Sequence, residues 1–128
     1  MLVGEILRVY AVTRRRMPRG DIRHVAAARR ALLQRTSPTP PPAGQDSWDV
    51  AAHLGRAVYR TLRLLPTDSR CLVQSLVLSR MLATRGIPST LVIGAHSRPE
   101  FEAHAWVEHE GRPVLPPRGF QDSRLAEL

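Results

Sequence analysis

The sequence predicts an α+β domain, with helices packed on a small antiparallel sheet and a helical arm in front. Three features point that way. Apolar residues recur at helical spacing in the first part and again after residue 46, strand-like alternation dominates after Gly86, and a proline-rich run separates the early helices from the rest. At 128 residues the chain has room for one small domain with a single core. Aromatics make up only 5% of it, which favours helices on a sheet over an aromatic-rich sandwich.

The organisation expected is an arm over 1–35, a linker over 36–46 and a main domain over 47–128. Within the arm, residues 3 to about 16 and about 21 to 35 have helical spacing, with Leu2, Ile6, Val9 and Tyr10 on one side of the first segment. Met17-Pro18-Arg19-Gly20 breaks the two, and Asp21 is a suitable N-cap for the second. The run Thr36-Ser37-Pro38-Thr39-Pro40-Pro41-Pro42 cannot hold a helix and reads as a stiff, extended linker.

Ser47 then looks like the N-cap of a helix to about Leu65, whose apolar stripe is Val50, Leu54, Ala57, Val58, Thr61, Leu62 and Leu65. Pro66 ends it, and Asp68 or Ser69 caps a helix that begins near Cys71 and stops at Gly86 and Pro88. Strands are expected over 89–95, from Phe101 to His109, and over 112–115, the last two joined by a tight turn at Glu110-Gly111.

All nineteen basic residues are arginine, and against eleven acidic ones they give a net charge of +8. The charge attracts acidic peptides or proteins, but no nucleic-acid motif accompanies it and aromatics do not interleave with it, so nucleic-acid binding does not follow. One cysteine rules out an internal disulfide and any cysteine-rich zinc module. No apolar run approaches a membrane span and Met1-Leu2-Val3-Gly4-Glu5 lacks the order of a secretory signal, so a cytoplasmic location is expected.

The residues with chemical promise are Cys71 and His104. A thiol at a helix N-terminus is biased toward thiolate, and the guanidinium of Arg70 would push the same way. On a strand His104, Trp106 and Glu108 share one face, while Ala103, Ala105 and Val107 share the other. An imidazole facing the thiol would take its proton and later protonate a leaving amine. A lone cysteine on an apolar helix is, however, more often a core residue. His96, His104 and His109 lack the close pairing of a zinc site, so neither a metal nor a cofactor is expected. Trp106 suits the core or a cleft wall, and Glu108 suits a bond near the site or an arginine pair.

From about Arg70 to Val114 the sequence resembles the transglutaminase-like cysteine peptidases that remove leader peptides in lasso-peptide biosynthesis. The matching features are Arg70-Cys71-Leu72, Ser75-Leu76, Arg85-Gly86-Ile87-Pro88, Leu91-Val92-Ile93-Gly94, His104-Ala105-Trp106-Val107-Glu108 and Gly111-Arg112, in that order. The resemblance implies a transglutaminase-like or papain-like core in a bacterial, cytoplasmic enzyme, with Cys71 as nucleophile and His104 as base. It also implies a precursor peptide as substrate, a leader-recognition protein that presents it, and an ATP-dependent cyclase acting afterwards. The arginines of the arm are candidates for the docking surface.

One position departs from the family. Its third residue, an aspartate, lies about twelve residues beyond the histidine, where this chain has Pro116. Three arrangements stay open: Asp122 supplies the carboxylate, a backbone carbonyl or water orients the ring of a Cys71–His104 dyad, or the protein is inactive. Two other functions stay open with them, a non-catalytic scaffold and an amide-forming transferase that uses the same cysteine.

Overall fold

A computed structural model describes residues 2–15, 22–34, 46–64, 70–97 and 102–128. Among them are helices α1 (Leu2–Arg15), α2 (Ile22–Gln34), α3 (Ser47–Leu62) and α4 (Arg70–Thr84) and strands β1 (Thr90–His96), β2 (Glu102–His109), β3 (Arg112–Pro113) and β4 (Arg124–Glu127). The expected helix breaks at Met17 to Asp21 and at Pro66, the caps Asp68 and Ser69, Phe101, and the linker apart from Asp46 lie outside the described residues.

Helix α4 is the spine of the fold. Val73, Leu76, Val77, Leu78, Met81 and Leu82 are at most 1% exposed, and the helix touches α1, α2, α3, β1 and β2. Its end is set by Gly86 at φ 70°. The Gly86 N–H donates to the Ala83 carbonyl at 3.0 Å and the Ile87 N–H to the Leu82 carbonyl at 2.9 Å. This is a left-handed glycine cap closing over the last turn, and Ile87 is buried beside it.

The arm is part of the same core. Ile6 and Val9 of α1 join the cluster of Leu54, Val58, Val77 and Met81, while Val25 and Leu32 of α2 pack with Leu76 and Leu91. Polar contacts reinforce the packing: Arg85 donates to both carboxylate oxygens of Glu5 at 3.0 and 2.9 Å, and Arg29 Nη2 donates to the Ser89 carbonyl at 2.7 Å. Helix α3 starts one residue earlier than expected, because Asp46 rather than Ser47 is its cap and accepts from the Trp48 N–H at 2.9 Å. Ser47 is thereby free to donate to His109 Nε2 at 3.1 Å, while His109 Nδ1–H donates to the Pro88 carbonyl at 2.7 Å.

The sheet is antiparallel, in the order β3-β2-β1-β4. Glu110 and Gly111, at φ 54° and 74°, form the two-residue turn between β2 and β3. Strand β3 is shorter than the expected 112–115: ladder pairing covers Arg112 and Pro113, after which Val114 and Leu115 both turn their N–H groups to the single carbonyl of Val107. Strand β4, which no alternation in the sequence signals, pairs with β1 from Val92 to Gly94. It is anchored by Arg124, which donates to both oxygens of Glu108 at 3.1 and 2.7 Å. Trp106 Nε1–H donates to the same carboxylate at 3.0 Å. Burial pushes Glu108 up, but those bonds and the Arg124 charge outweigh it and hold its carboxyl below the usual range.

Gly94, opposite His104 in the β1–β2 register, leaves room for Phe120 to cross the sheet. A Cβ there would lie 2.9 Å from both Phe120 Cβ and the Phe120 carbonyl oxygen and 3.1 Å from Trp106. Gly94→Ala is expected to cost about 1–3 kcal/mol through overpacking, read as a lower denaturant midpoint at unchanged slope. Because the Glu108 carboxyl is depressed, its stabilisation is present above the unfolded carboxylate pKa and lost as pH falls through the folded one. Acid titration of thermal stability should show that loss in the intact protein and a smaller one in Arg124→Gln.

Candidate active site

Cys71 is the second residue of α4, at the end where backbone N–H groups have no intrahelical acceptor. Strand β3 pairs with β2 only at Glu108 and His109, so the outer edge of β2 around Ala105 carries no strand among the described residues. Cys71 meets β2 at that edge. Cys71 and His104 line the same two cavities. Burial pushes the thiol up, but hydrogen bonding with the His104 ring and with the backbone of Ala105 and of Leu72, together with the His104 charge, outweighs it and brings the thiol below its ordinary value.

His104 responds in the opposite sense. The bond to Cys71 raises it most, burial opposes, and the Pro116 carbonyl and the Cys71 charge add to the rise while the nearby Arg118 charge lowers it. The balance lies above the usual imidazole value, so thiolate and imidazolium favour one another. Nε2 lies 2.7 Å from the Pro116 carbonyl oxygen. A carbonyl only accepts, so Nε2 carries a hydrogen and Nδ1 is the atom left for the sulfur. The ring is also wedged between aromatics, stacked on Trp106 with centroids 6.0 Å apart and tilted against Phe120 at 5.6 Å.

Pro116 therefore occupies the expected acid position in sequence and orients the imidazole through its main chain. The structure brings a main-chain carbonyl, that of Pro116, to Nε2 of the ring. Asp122 is not brought to the ring: it is exposed, in the turn before β4, and no hydrogen bond joins it to His104. The position of Pro116 is set on both sides. Leu115 before it is buried, and after it Arg118 and Gly119 take φ 52° and 86°, so that the Phe120 N–H returns to the Pro117 carbonyl at 3.0 Å.

Other residues fall into supporting places. Trp106 is fully buried, and Glu108 is held by Trp106 and Arg124. Ser75 donates to the Cys71 carbonyl at 2.7 Å. His96 pairs with Glu102 at 3.7 Å and stacks on Phe120, His109 is tied to Ser47 and Pro88, and His24 and His53 are exposed. Among the described residues no group of three or more His, Cys, Asp or Glu is arranged to hold a metal. The Arg70 side chain lies outside the described residues.

A cavity of about 180 Å³ opens on the pair, lined among others by Tyr59, Gln74, Leu115, Pro116 and Arg118. It shares Tyr59, Leu115 and Pro116 with a groove of about 500 Å³ that runs between α3 and residues 113–117 and carries Arg56 and Arg60. On the other side of Cys71 an apolar hollow of about 210 Å³ is bounded by Leu72, Ile93 and Ala103. A larger hollow of about 560 Å³, near Leu2, Asp49 and His53, contains no nucleophile and base together. Gln74, Tyr59 and Arg118 also line the site, and no motif or spacing in the sequence assigns them a role there.

The family model of the transglutaminase-like superfamily matches residues 11–124. The chain belongs to the transglutaminase-like superfamily. The match starts inside α1 and ends at the first residue of β4, so the superfamily domain takes in the arm as well as the sheet. No curated protein and no solved structure matches the chain. The superfamily includes cysteine peptidases and transferases. Among the described residues no helix is long and apolar enough to cross a membrane.

The thiol depression is testable without a substrate. Iodoacetamide alkylation of Cys71, followed against pH, should begin at lower pH than for a free thiol. His104→Ala should shift the profile upward, because burial then acts without its main counterweight. Asp122→Ala should leave it in place. A profile unmoved by loss of His104 would show that the two side chains are not coupled.

Proposed function

We propose that this protein is a cysteine peptidase that hydrolyses one peptide bond in a ribosomally made lasso-peptide precursor, separating leader from core. The observation that carries the reading is the Cys71–His104 pair, with Nε2 fixed by the Pro116 carbonyl and Nδ1 left for the sulfur. The order of Arg70-Cys71-Leu72, Arg85-Gly86-Ile87-Pro88 and His104-Ala105-Trp106-Val107-Glu108 supports the lasso assignment within the superfamily.

The chemistry follows from the pair. The Cys71 thiolate adds to the scissile carbonyl carbon and the carbonyl electron pair moves onto oxygen. As the intermediate collapses, the carbon–nitrogen bond breaks and His104 Nδ1 gives its proton to the leaving amine. The acyl group is left as a thioester on Cys71. Nδ1, now neutral, takes a proton from water as that water attacks, and the second collapse restores thiolate and imidazolium. Nε2 stays bonded to Pro116 throughout and keeps the ring in register.

A cleft this small gains specificity when the precursor is delivered by a leader-recognition protein that raises its local concentration. An ATP-dependent cyclase would then use the freed amine. The groove beside α3, with Arg56 and Arg60 on its wall, suits an acidic stretch of the precursor on its way to Cys71.

The test is mass spectrometry of precursor incubated with this protein and its recognition partner. Cleavage at a single leader–core bond is expected. Cys71→Ala should abolish it, His104→Ala should slow it by about 10²–10⁴-fold, and Asp122→Ala should leave the rate within about threefold, as for a surface residue. Arg56→Glu with Arg60→Glu should raise KM more than it lowers kcat. An amide product formed in the presence of added amine would favour the transferase. No cleavage while the partner holds the precursor would sink the peptidase reading and leave a scaffold.

A further inference from the structure

Gln74 is only 6% exposed, and its Nε2 has no hydrogen-bond partner among the described residues. Buried amide donors are nearly always paired in folded proteins, so an orphan calls for a reason. Among the described residues three other buried polar atoms share the condition, Arg29 Nε, Ser79 Oγ and His96 Nδ1. None of those residues lines either cavity at Cys71, whereas Gln74 lines the one it shares with Cys71 and His104. Gln74 follows Cys71 by three residues on α4, which places the two side chains on one helix face.

We infer that Gln74 is an oxyanion donor: its side-chain amide binds the carbonyl oxygen of the acyl group that Cys71 attacks. The inference rests on the peptidase reading and adds a residue to it. When the sulfur–carbon bond forms, the carbonyl π pair becomes a full charge on oxygen, and no proton moves in that step. Gln74 lines the cavity and its buried N–H is spent on nothing else, so a turn of the amide toward the cavity brings a donor to that charge. The Cys71 N–H is the natural second donor, since it lies in the first turn of α4, has no intrahelical acceptor and sits at the positive end of the helix. Collapse of the intermediate returns the electron pair to the carbonyl, and the amide is released unchanged for the hydrolytic half of the cycle.

The experiment uses N-acetylglycinal, which adds reversibly to a thiolate and puts its oxygen where the oxyanion would sit. Its affinity is read as protection of Cys71 from iodoacetamide, scored by mass spectrometry. Iodoacetamide displaces iodide at a saturated carbon and builds no oxyanion, so its unprotected rate reports the thiolate alone. In Gln74→Leu and in Gln74→Met the aldehyde affinity should fall at least about tenfold. The unprotected alkylation rate should stay within about twofold, and melting should show both variants folded. Unchanged aldehyde affinity in both variants would overturn the inference, as would an equal fall in alkylation and protection. Rapid alkylation of the intact protein without aldehyde protection would remove the oxyanion site and leave the nucleophile standing. Alkylation no faster than that of a free cysteine would remove both.

Discussion

Helix α4 must be buried on nearly every side and still offer one end to solvent. Burying a side chain such as Val, Leu or Met is worth about 1.5–3 kcal/mol, and six of them along α4 are at most 1% exposed. Three helices and two strands are built around that requirement. The glycine cap at Gly86 fixes the far end, and the packed middle fixes axis and rotation. Cys71 consequently has little freedom: its place against the edge of β2 is dictated by residues that take no part in the chemistry. The low sequence specificity of apolar packing and the tight placement of Cys71 meet in one element.

The imidazole is positioned with equal economy. Where a carboxylate would orient it through a side chain, a proline does so through its carbonyl. That acceptor is held by the chain on both sides, between buried Leu115 and the left-handed turn at Arg118 and Gly119. It cannot be protonated at any pH at which the protein is folded, and it cannot swing away as a rotamer. Phe120, admitted by Gly94, closes over the ring and completes its seat.

Much of this was legible in the sequence because it rests on patterns longer than a few residues. The apolar run after Cys71, the glycine and proline that stop it, the alternation through His104 and the Glu110-Gly111 turn pointed to the α+β class and singled out Cys71 and His104, which line one cavity. What escaped was local or non-local in ways that spacing does not record. Asp46 and Ser47 are both good caps, and spacing does not say that Asp46 takes the helix while Ser47 bonds His109. Strand β4 is four residues long with weak alternation, and its identity comes from pairing with a distant strand. The fit of the arm against α4 needed Ile6, Val25 and Leu32 to be seen inside the core. In the site, the decisive atoms at Ala105 and Pro116 are main-chain atoms, which every residue has and no sequence singles out.

An uncharged orienting group has an effect over the proposed reaction cycle. In a triad the carboxylate keeps its charge beside the imidazolium from start to finish. Here Cys71 is the anion that raises His104, and acylation turns that anion into a neutral thioester. What then acts on the ring is the Pro116 carbonyl against burial and the positive field of Arg118. The imidazolium becomes a stronger acid as the sulfur is consumed, at the moment the departing amine needs a proton. When the thiolate is regenerated, the ring becomes basic again. The covalent state of the sulfur thus sets the acidity of its neighbour, and the two halves of the cycle are timed by a charge that appears and disappears on one atom.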